Sequence, residues 1–330
     1  MARFWKFGVG TMNAIGKSSV VFVTLSGLFW GGWVLGSQTP EGQEAIARAY
    51  AAYAEEQATA NEDLFDSAAL RAIVCGGAEN GAQQPCLAVV AGGKLFVVDA
   101  GSGAADSLVQ RGVPMARLQA VLLTSSGLQQ MSDLSAMYGQ ASHGRDNVLL
   151  PVYGPADTQR AVDGLNQAAG MDGAARGLQA WGPSPEPGRS VIVFEQDGLT
   201  VSAFTTQEDA FTGRVGYRFD YRGRSIVVGG DGRMVGADAA ANADVVLQGA
   251  QSQALSHLRE QTGMTAAEVA AQARGSNAGL VVLTGAGNQM EAQVQVSEAR
   301  AAGFSDVVSG RVGTLIELPL DNSEINVRPL

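Results

Sequence analysis

The N-terminal pattern is a polar, basic flank, Arg3, Lys6 and Lys17, followed by an uncharged apolar run from Val20 to Leu35 that includes Phe29, Trp30 and Trp33 near its far end. Positive charge before such a run and aromatics at its exit are the marks of a membrane-spanning helix with a cytoplasmic N-terminus. Extended back to Asn13 or Ile15, the run reaches the ~20 residues a bilayer requires. Its exit, Val34-Leu35-Gly36-Ser37-Gln38, is a poor match to the small-residue pattern of a cleavage site. The expectation is a bacterial inner-membrane, single-pass protein: residues 1–17 in the cytoplasm, 18–36 a signal anchor, and the body in the periplasm. Secretion after cleavage is the alternative. Beyond Pro40, Ile46, Ala49, Tyr50, Tyr53 and Gln57 recur at helical spacing, which predicts a helical stalk over 41–64.

From about residue 68 the period changes. Leu70–Cys75, Cys86–Ala91 and Lys94–Asp99 are short apolar runs, the last two joined by the hairpin pair Gly92-Gly93. Ala120–Thr124 reads as a buried strand leading into a helical stretch through Met131, Leu134 and Met137. Val191–Phe194 and Leu199–Phe204 flank the turn Asp197-Gly198, and Val215–Tyr221 and Ser225–Val228 flank Arg222-Gly223-Arg224. Asp244–Leu247 and Leu280–Thr284 are two further buried strands, with a helix from about Thr265 to Arg274 between them. Strands, hairpins and intervening helices point to α/β layers in one domain over 68–330.

Composition narrows this picture. In 330 residues, 46% are hydrophobic and 16% charged, enough apolar material for one large core. The net charge of −10 and the absence of a basic stripe argue against a nucleic-acid partner, which needs clustered Lys and Arg. Cys75 and Cys86 flank a glycine-rich loop; in an oxidising compartment they form a disulfide, with buried free thiols or a redox pair as the alternatives. Asp99-Ala100-Gly101-Ser102-Gly103 lacks the third glycine and βαβ setting of a dinucleotide loop and reads as a structural turn. Of two histidines, His143 lies in a polar turn and His257 in a helical stretch, and neither has a triad context. Ser125, Ser126 and Ser132 read as polar filling rather than nucleophiles.

Six segments carry a family resemblance: Val97–Gly103, Val121–Thr124, Pro151–Pro155, Val215–Tyr221, Val228–Asp231 and Leu280–Thr284. In this order, from Leu70 to about Pro319, they resemble the ribonuclease Z and arylsulfatase-like branch of the metallo-β-lactamase fold. The resemblance implies an αββα sandwich, with two metal ions at one edge held by a His-x-His-x-Asp-His motif after the strand ending in threonine. Here those ligand places are Ser125, Gly127, Gln129 and Gln130, and the later histidine place is Gly285. Asp231 stands where the resemblance implies a metal-bridging aspartate. Other pocket histidines correspond to Glu208, Gln248 and Thr262. Related secreted members also resemble this chain in the cysteine pair.

Hydroxyls, amides and glycine make poor zinc ligands, and one aspartate does not retain the ion. The expectation is therefore a degenerate member without metal or cofactor, not an enzyme, serving as a binding or structural subunit with a protein partner in a membrane complex. Residual hydrolysis of phosphate or sulfate esters and a small-molecule sensor in the vacated pocket are the alternatives.

Overall fold

The computed structural model describes Thr39, Pro40, Gln43, Glu44, Arg48 and residues 63–79, 82–206, 213–230, 232–233, 239–254 and 263–330. The expected cytoplasmic segment and anchor, 1–17 and 18–36, lie outside the described residues, as does most of the 41–64 stalk; Pro40, Gln43, Glu44 and Arg48 are helical. Among the described residues no helix is long and apolar enough to cross a membrane. The chain divides into two units, Met1–Ala60 and Asn61–Leu330, and both large sheets belong to the second.

Seventeen strands and six α-helices are described in this unit. The first group is β1 (Ala69–Val74), β2 (Ala78–Glu79), β3 (Ala82–Gln83), β4 (Leu87–Ala91) and β5 (Lys94–Val98). Helix α1 (Ala104–Gln110) and β6 (Leu118–Leu122) follow, then α2 (Leu128–Met131), α3 (Leu134–Ser142), β7 (Leu149–Tyr153), α4 (Thr158–Ala168) and β8 (Gly177–Trp181). The second half holds β9 (Ser190–Gln196), β10 (Leu199–Thr205), β11 (Val215–Tyr221), β12 (Arg224–Val228) and β13 (Val245–Gly249). It closes with α5 (Ala266–Gly275), β14 (Leu280–Thr284), α6 (Gln289–Ala301), β15 (Val307–Ser309), β16 (Thr314–Pro319) and β17 (Asn326–Pro329).

The two large sheets are ordered β17-β16-β1-β4-β5-β6-β7-β8 and β15-β14-β13-β12-β11-β10-β9. The period of two along each strand explains how they stack. On β5, Leu95 and Val97 pack with the α1, α3 and α4 side chains Leu108, Leu134, Met137 and Val162. The alternate residues Phe96 and Val98 meet Tyr217, Phe219 and Ile226 of the second sheet. Likewise Val227, Val246 and Val281 face Val269 and Ala273 of α5 and Ala299 of α6. Three apolar layers between four layers of structure make an αββα sandwich, and the inner strands read as unbroken apolar runs because both faces are covered.

The hairpin at Gly92-Gly93 forms with both residues at positive φ, 55° and 75°, and Cys75 and Cys86 are joined in a disulfide. The helical stretch after β6 is broken into α2 and α3 at Ser132-Asp133. The Asp133 carboxylate accepts the Ala105 amide of α1 (2.7 Å) and so is drawn off the helix. The Thr265 helix starts with a capping box: Glu268 N donates to Thr265 Oγ1 (3.3 Å), and Thr265 N donates to Glu268 Oε2 (2.9 Å). That backbone hydrogen bond is the main cause that lowers the Glu268 carboxyl below its usual range.

One buried cation ties the end of the chain to the second sheet. Arg224, 6% exposed, donates to Asp244 Oδ1 (3.2 Å) and to the carbonyls of Pro319 (2.7 Å), Asn322 (2.7 Å) and Glu324 (3.0 Å). Removing one partner of such a pair leaves the others unpaired in a poorly solvated place. Arg224→Ala is expected to lower unfolding free energy by about 3–5 kcal/mol, measured by urea denaturation.

Candidate functional site at the sheet edge

The parallel strands of both sheets, β5 to β8 and β12 to β15, place their C-terminal ends where ligand sites form in α/β proteins. Asp99, directly after β5, is in a left-handed conformation (φ 58°), and its buried carboxylate accepts Thr124 N and Thr124 Oγ1, each at 2.7 Å. The first sheet is then joined to the second: Val215 N donates to the Thr124 carbonyl (2.9 Å) and Tyr217 OH to the Leu123 carbonyl (3.0 Å). Burial, with the nearby Asp99 carboxylate and Tyr153, holds the Tyr217 hydroxyl well above the usual phenol range, so it stays a neutral donor.

Thr124, Ser125 and Gln130 line a tight crevice with Thr206, Arg214, Gly229 and Gly232, too narrow to admit a water molecule. Ser125 is half-buried and its Oγ accepts Gly127 N (3.2 Å). Gln130 is buried, with its side-chain oxygen close over Gly127, and its carbonyl accepts Ala100 N (2.7 Å). Gln129 and Gly127 are exposed. Gln248, 1% exposed, spans the loop after β12 by donating to the carbonyls of Gly230 (2.8 Å) and Gly232 (3.0 Å). Gly285 sits apart from the cleft lining at φ 90°, its amide donating to Gln83 Oε1 (3.4 Å). Asp231, Glu208, Thr262 and His257 lie outside the described residues. His143 is the C-terminal cap residue of α3.

Neutral hydroxyls and carboxamides at Ser125, Gln129, Gln130 and Gln248 do not fit a metal pair, which needs imidazole, thiolate or carboxylate donors. Among the described residues no group of three or more His, Cys, Asp or Glu is placed to hold a metal ion. Backbone shape adds to the misfit. A β-carbon on Gly285 would be strained at its positive φ, and one on Gly229 would land on the Gln248 carboxamide oxygen.

No protein-family model matches the chain. Ribonuclease Z of Mycobacterium marinum is 30% identical over 156 residues, covering 44% of this chain and 56% of the relative. That of Mycobacterium bovis is 29% identical over the same length and shares. The chain thus spans about half the length of the curated relatives it matches. Human tRNase Z, short form, superposes with a TM-score of 0.60 at 16% identity, covering 76% of this chain and 99% of that one. The metallo-β-lactamase fold protein YhfI from Bacillus subtilis gives 0.59 at 18% identity, covering 76% and 99%. A diphosphatase from the PhnP family gives 0.55 at 14%, covering 76% and 97%. This chain has the metallo-β-lactamase fold.

Its sequence relatives carry the name ribonuclease Z. This corrects the expectation that the chain is not an enzyme: the relatives bear an enzyme's name, a nuclease, and a structural neighbour is a diphosphatase. The physical reason is that missing ligands speak to the metal, whereas catalysis depends on every group in the cleft. Arg214, Thr206 and Asp99 are the site residues that sequence reasoning passed over as site groups. Arg214 had a signal, because it directly precedes the strand Val215–Tyr221 whose approach was already assigned to the pocket through Glu208.

Within a metallo-β-lactamase edge filled by a carboxamide, Gly229 and Gln248 compete for one volume. Gly229→Ala is expected to cost about 1–3 kcal/mol by overpacking. Gln248→Ala in the same chain is expected to recover part of it, seen as a coupling of about 1 kcal/mol or more in a double-mutant cycle by chemical denaturation.

Proposed function

We propose that this chain is a membrane-anchored relative of ribonuclease Z whose sheet edge works without a metal pair, as a binding or structural subunit of a membrane or envelope complex. The observation that carries the metal-free reading is Gln248: its buried carboxamide ties Gly230 to Gly232 across the loop after β12, filling the edge with a neutral group. The anchor at 18–36 rests on the basic flank and apolar run, and the body it carries would stand in the periplasm, where the Cys75–Cys86 disulfide is kept oxidised. A complex partner suits an anchored domain.

Metal content of the full chain purified in detergent tests the reading. After dialysis against zinc or manganese and gel filtration, the expected metal is far below one ion per chain, and thermal stability is unchanged by a chelator. One or more retained ions per chain would overturn it.

A second reading, hydrolysis of phosphate or sulfate esters by an atypical site, is favoured by the name its relatives carry. Turnover of a generic ester that is lost in Asp231→Ala would establish it.

A further inference from the structure

The two large sheets end in four edge strands, β17 and β8 in the first and β15 and β9 in the second. An open edge is a template for another strand unless something blunts it. Strand β15 is three residues long, and Arg300 of α6 donates to its Val307 carbonyl (3.3 Å). Strand β17 has four residues and ends in Arg328-Pro329, and proline has no N–H to give a ladder. Strand β8 is stopped by α4: the Asn166 carboxamide donates to the Leu178 carbonyl (2.8 Å) and accepts the Leu178 amide (2.9 Å), in the place of a further strand.

Strand β9 has no such device. It runs for seven residues and holds no proline, lysine or arginine. On one side it pairs with β10 from Ser190↔Phe204 to Gln196↔Leu199, with one irregularity that leaves Val193 unmatched. Among the described residues nothing bonds to the backbone on its other side. Phe194 fixes the strand to the core by an edge-on contact with Phe96, ring centroids 5.0 Å apart. Val191 and Ile192 remain 40% and 57% exposed. An apolar edge held firmly from behind suits the addition of a strand.

The charges that bracket β9 select the strand that fits. Arg189 precedes it, while Glu195 and Asp197 stand at its far end. A second copy lying antiparallel meets these ends as unlike charges. A two-fold axis at Ile192 sets Arg189 of each copy opposite Glu195 of the other, and one at Val193 sets it opposite Asp197. A parallel pair would align like with like. The Arg189 side chain is 80% exposed and its contact with Glu186 is a 3.6 Å surface pair, which is readily exchanged for another.

We propose that β9 is the docking edge for a second copy of this chain, the two strands joining antiparallel about a two-fold axis so that the seven-stranded sheet of one copy continues into that of the other. The proposal goes beyond the metal-free reading and does not depend on it.

Sedimentation of the full chain in detergent over a concentration series tests this. Paired chains are expected. Ile192→Lys changes an exposed side chain, sets like charges beside the axis, and is expected to weaken self-association about tenfold or more. Arg189→Glu is expected to weaken it as well, and adding either Glu195→Arg or Asp197→Arg to restore it, the effective partner giving the register. Circular dichroism of each variant is read alongside, because Asp197 also holds Lys94 (2.6 Å). A wild-type chain that stays single at every concentration overturns the proposal, and so do pairs that Ile192→Lys leaves unmoved, which would place self-association elsewhere in the chain. Charge exchanges that restore nothing overturn the antiparallel arrangement. None of these results alters the metal content expected above.

Discussion

The edge of the sandwich depends on the close approach of Gly230 to Thr124. A β-carbon on Gly230 would lie 2.8 Å from both Thr124 Cβ and Oγ1, and the residue sits at φ 61°, so glycine satisfies the packing and the backbone at once. Thr124 cannot retreat, because Asp99 accepts from both its amide and its hydroxyl and Val215 N donates to its carbonyl. Two sheets that stack through an apolar layer are thereby also hydrogen-bonded to each other at this end. The cleft forms beside the bond, and its walls inherit the rigidity of Asp99, Thr124 and Tyr217.

Rigid walls make the replacement of ligands a matter of space as well as chemistry. Gln248 closes the loop after β12 with two donated hydrogen bonds, while Gly249 N donates to the same Gly230 carbonyl (2.9 Å). A buried amide with both donors used stabilises one loop conformation and leaves no charge behind. Imidazole or carboxylate groups crowded at this edge without a metal would leave repelling or unpaired polar atoms. Carboxamides at Gln130 and Gln248 bring no charge to this edge, although Gln248 Oε1 is itself buried without a hydrogen-bond partner among the described residues.

Sequence reasoning found what periodicity and turn chemistry announce. The inner strands, the Gly92-Gly93 and Asp197-Gly198 turns, the Thr265 helix and the cysteine pair were legible because each carries a local signal. The ordered motifs gave the fold. The fracture between α2 and α3 was not legible, since it comes from Asp133 reaching Ala105 across the fold. Strands β8 and β17 and helix α4 were also missed. Strand β17 is exposed along its length and ends at Pro329, so no apolar alternation announces it, whereas α4 does carry a narrow apolar stripe through Val162 and Leu165 that was passed over. In the site, the substituted positions could be read by comparison with the family motif. The groups that now shape the cleft, Arg214 and Thr206, match no motif and are brought together only by pairing across the hairpin between β10 and β11.

The charge of the cleft shows the same contrast between motif and structure. A motif reading counts what was lost and arrives at a neutral site, yet the fold leaves Arg214 in the wall among hydroxyls, an amide and glycines. In a chain of net charge −10, carboxylates are abundant, and three other part-buried arginines each have one. The neighbours of Arg214 along the chain include two carboxylates, Glu208 and Asp209, in the part of the loop from Thr206 to Arg214 that lies outside the described residues.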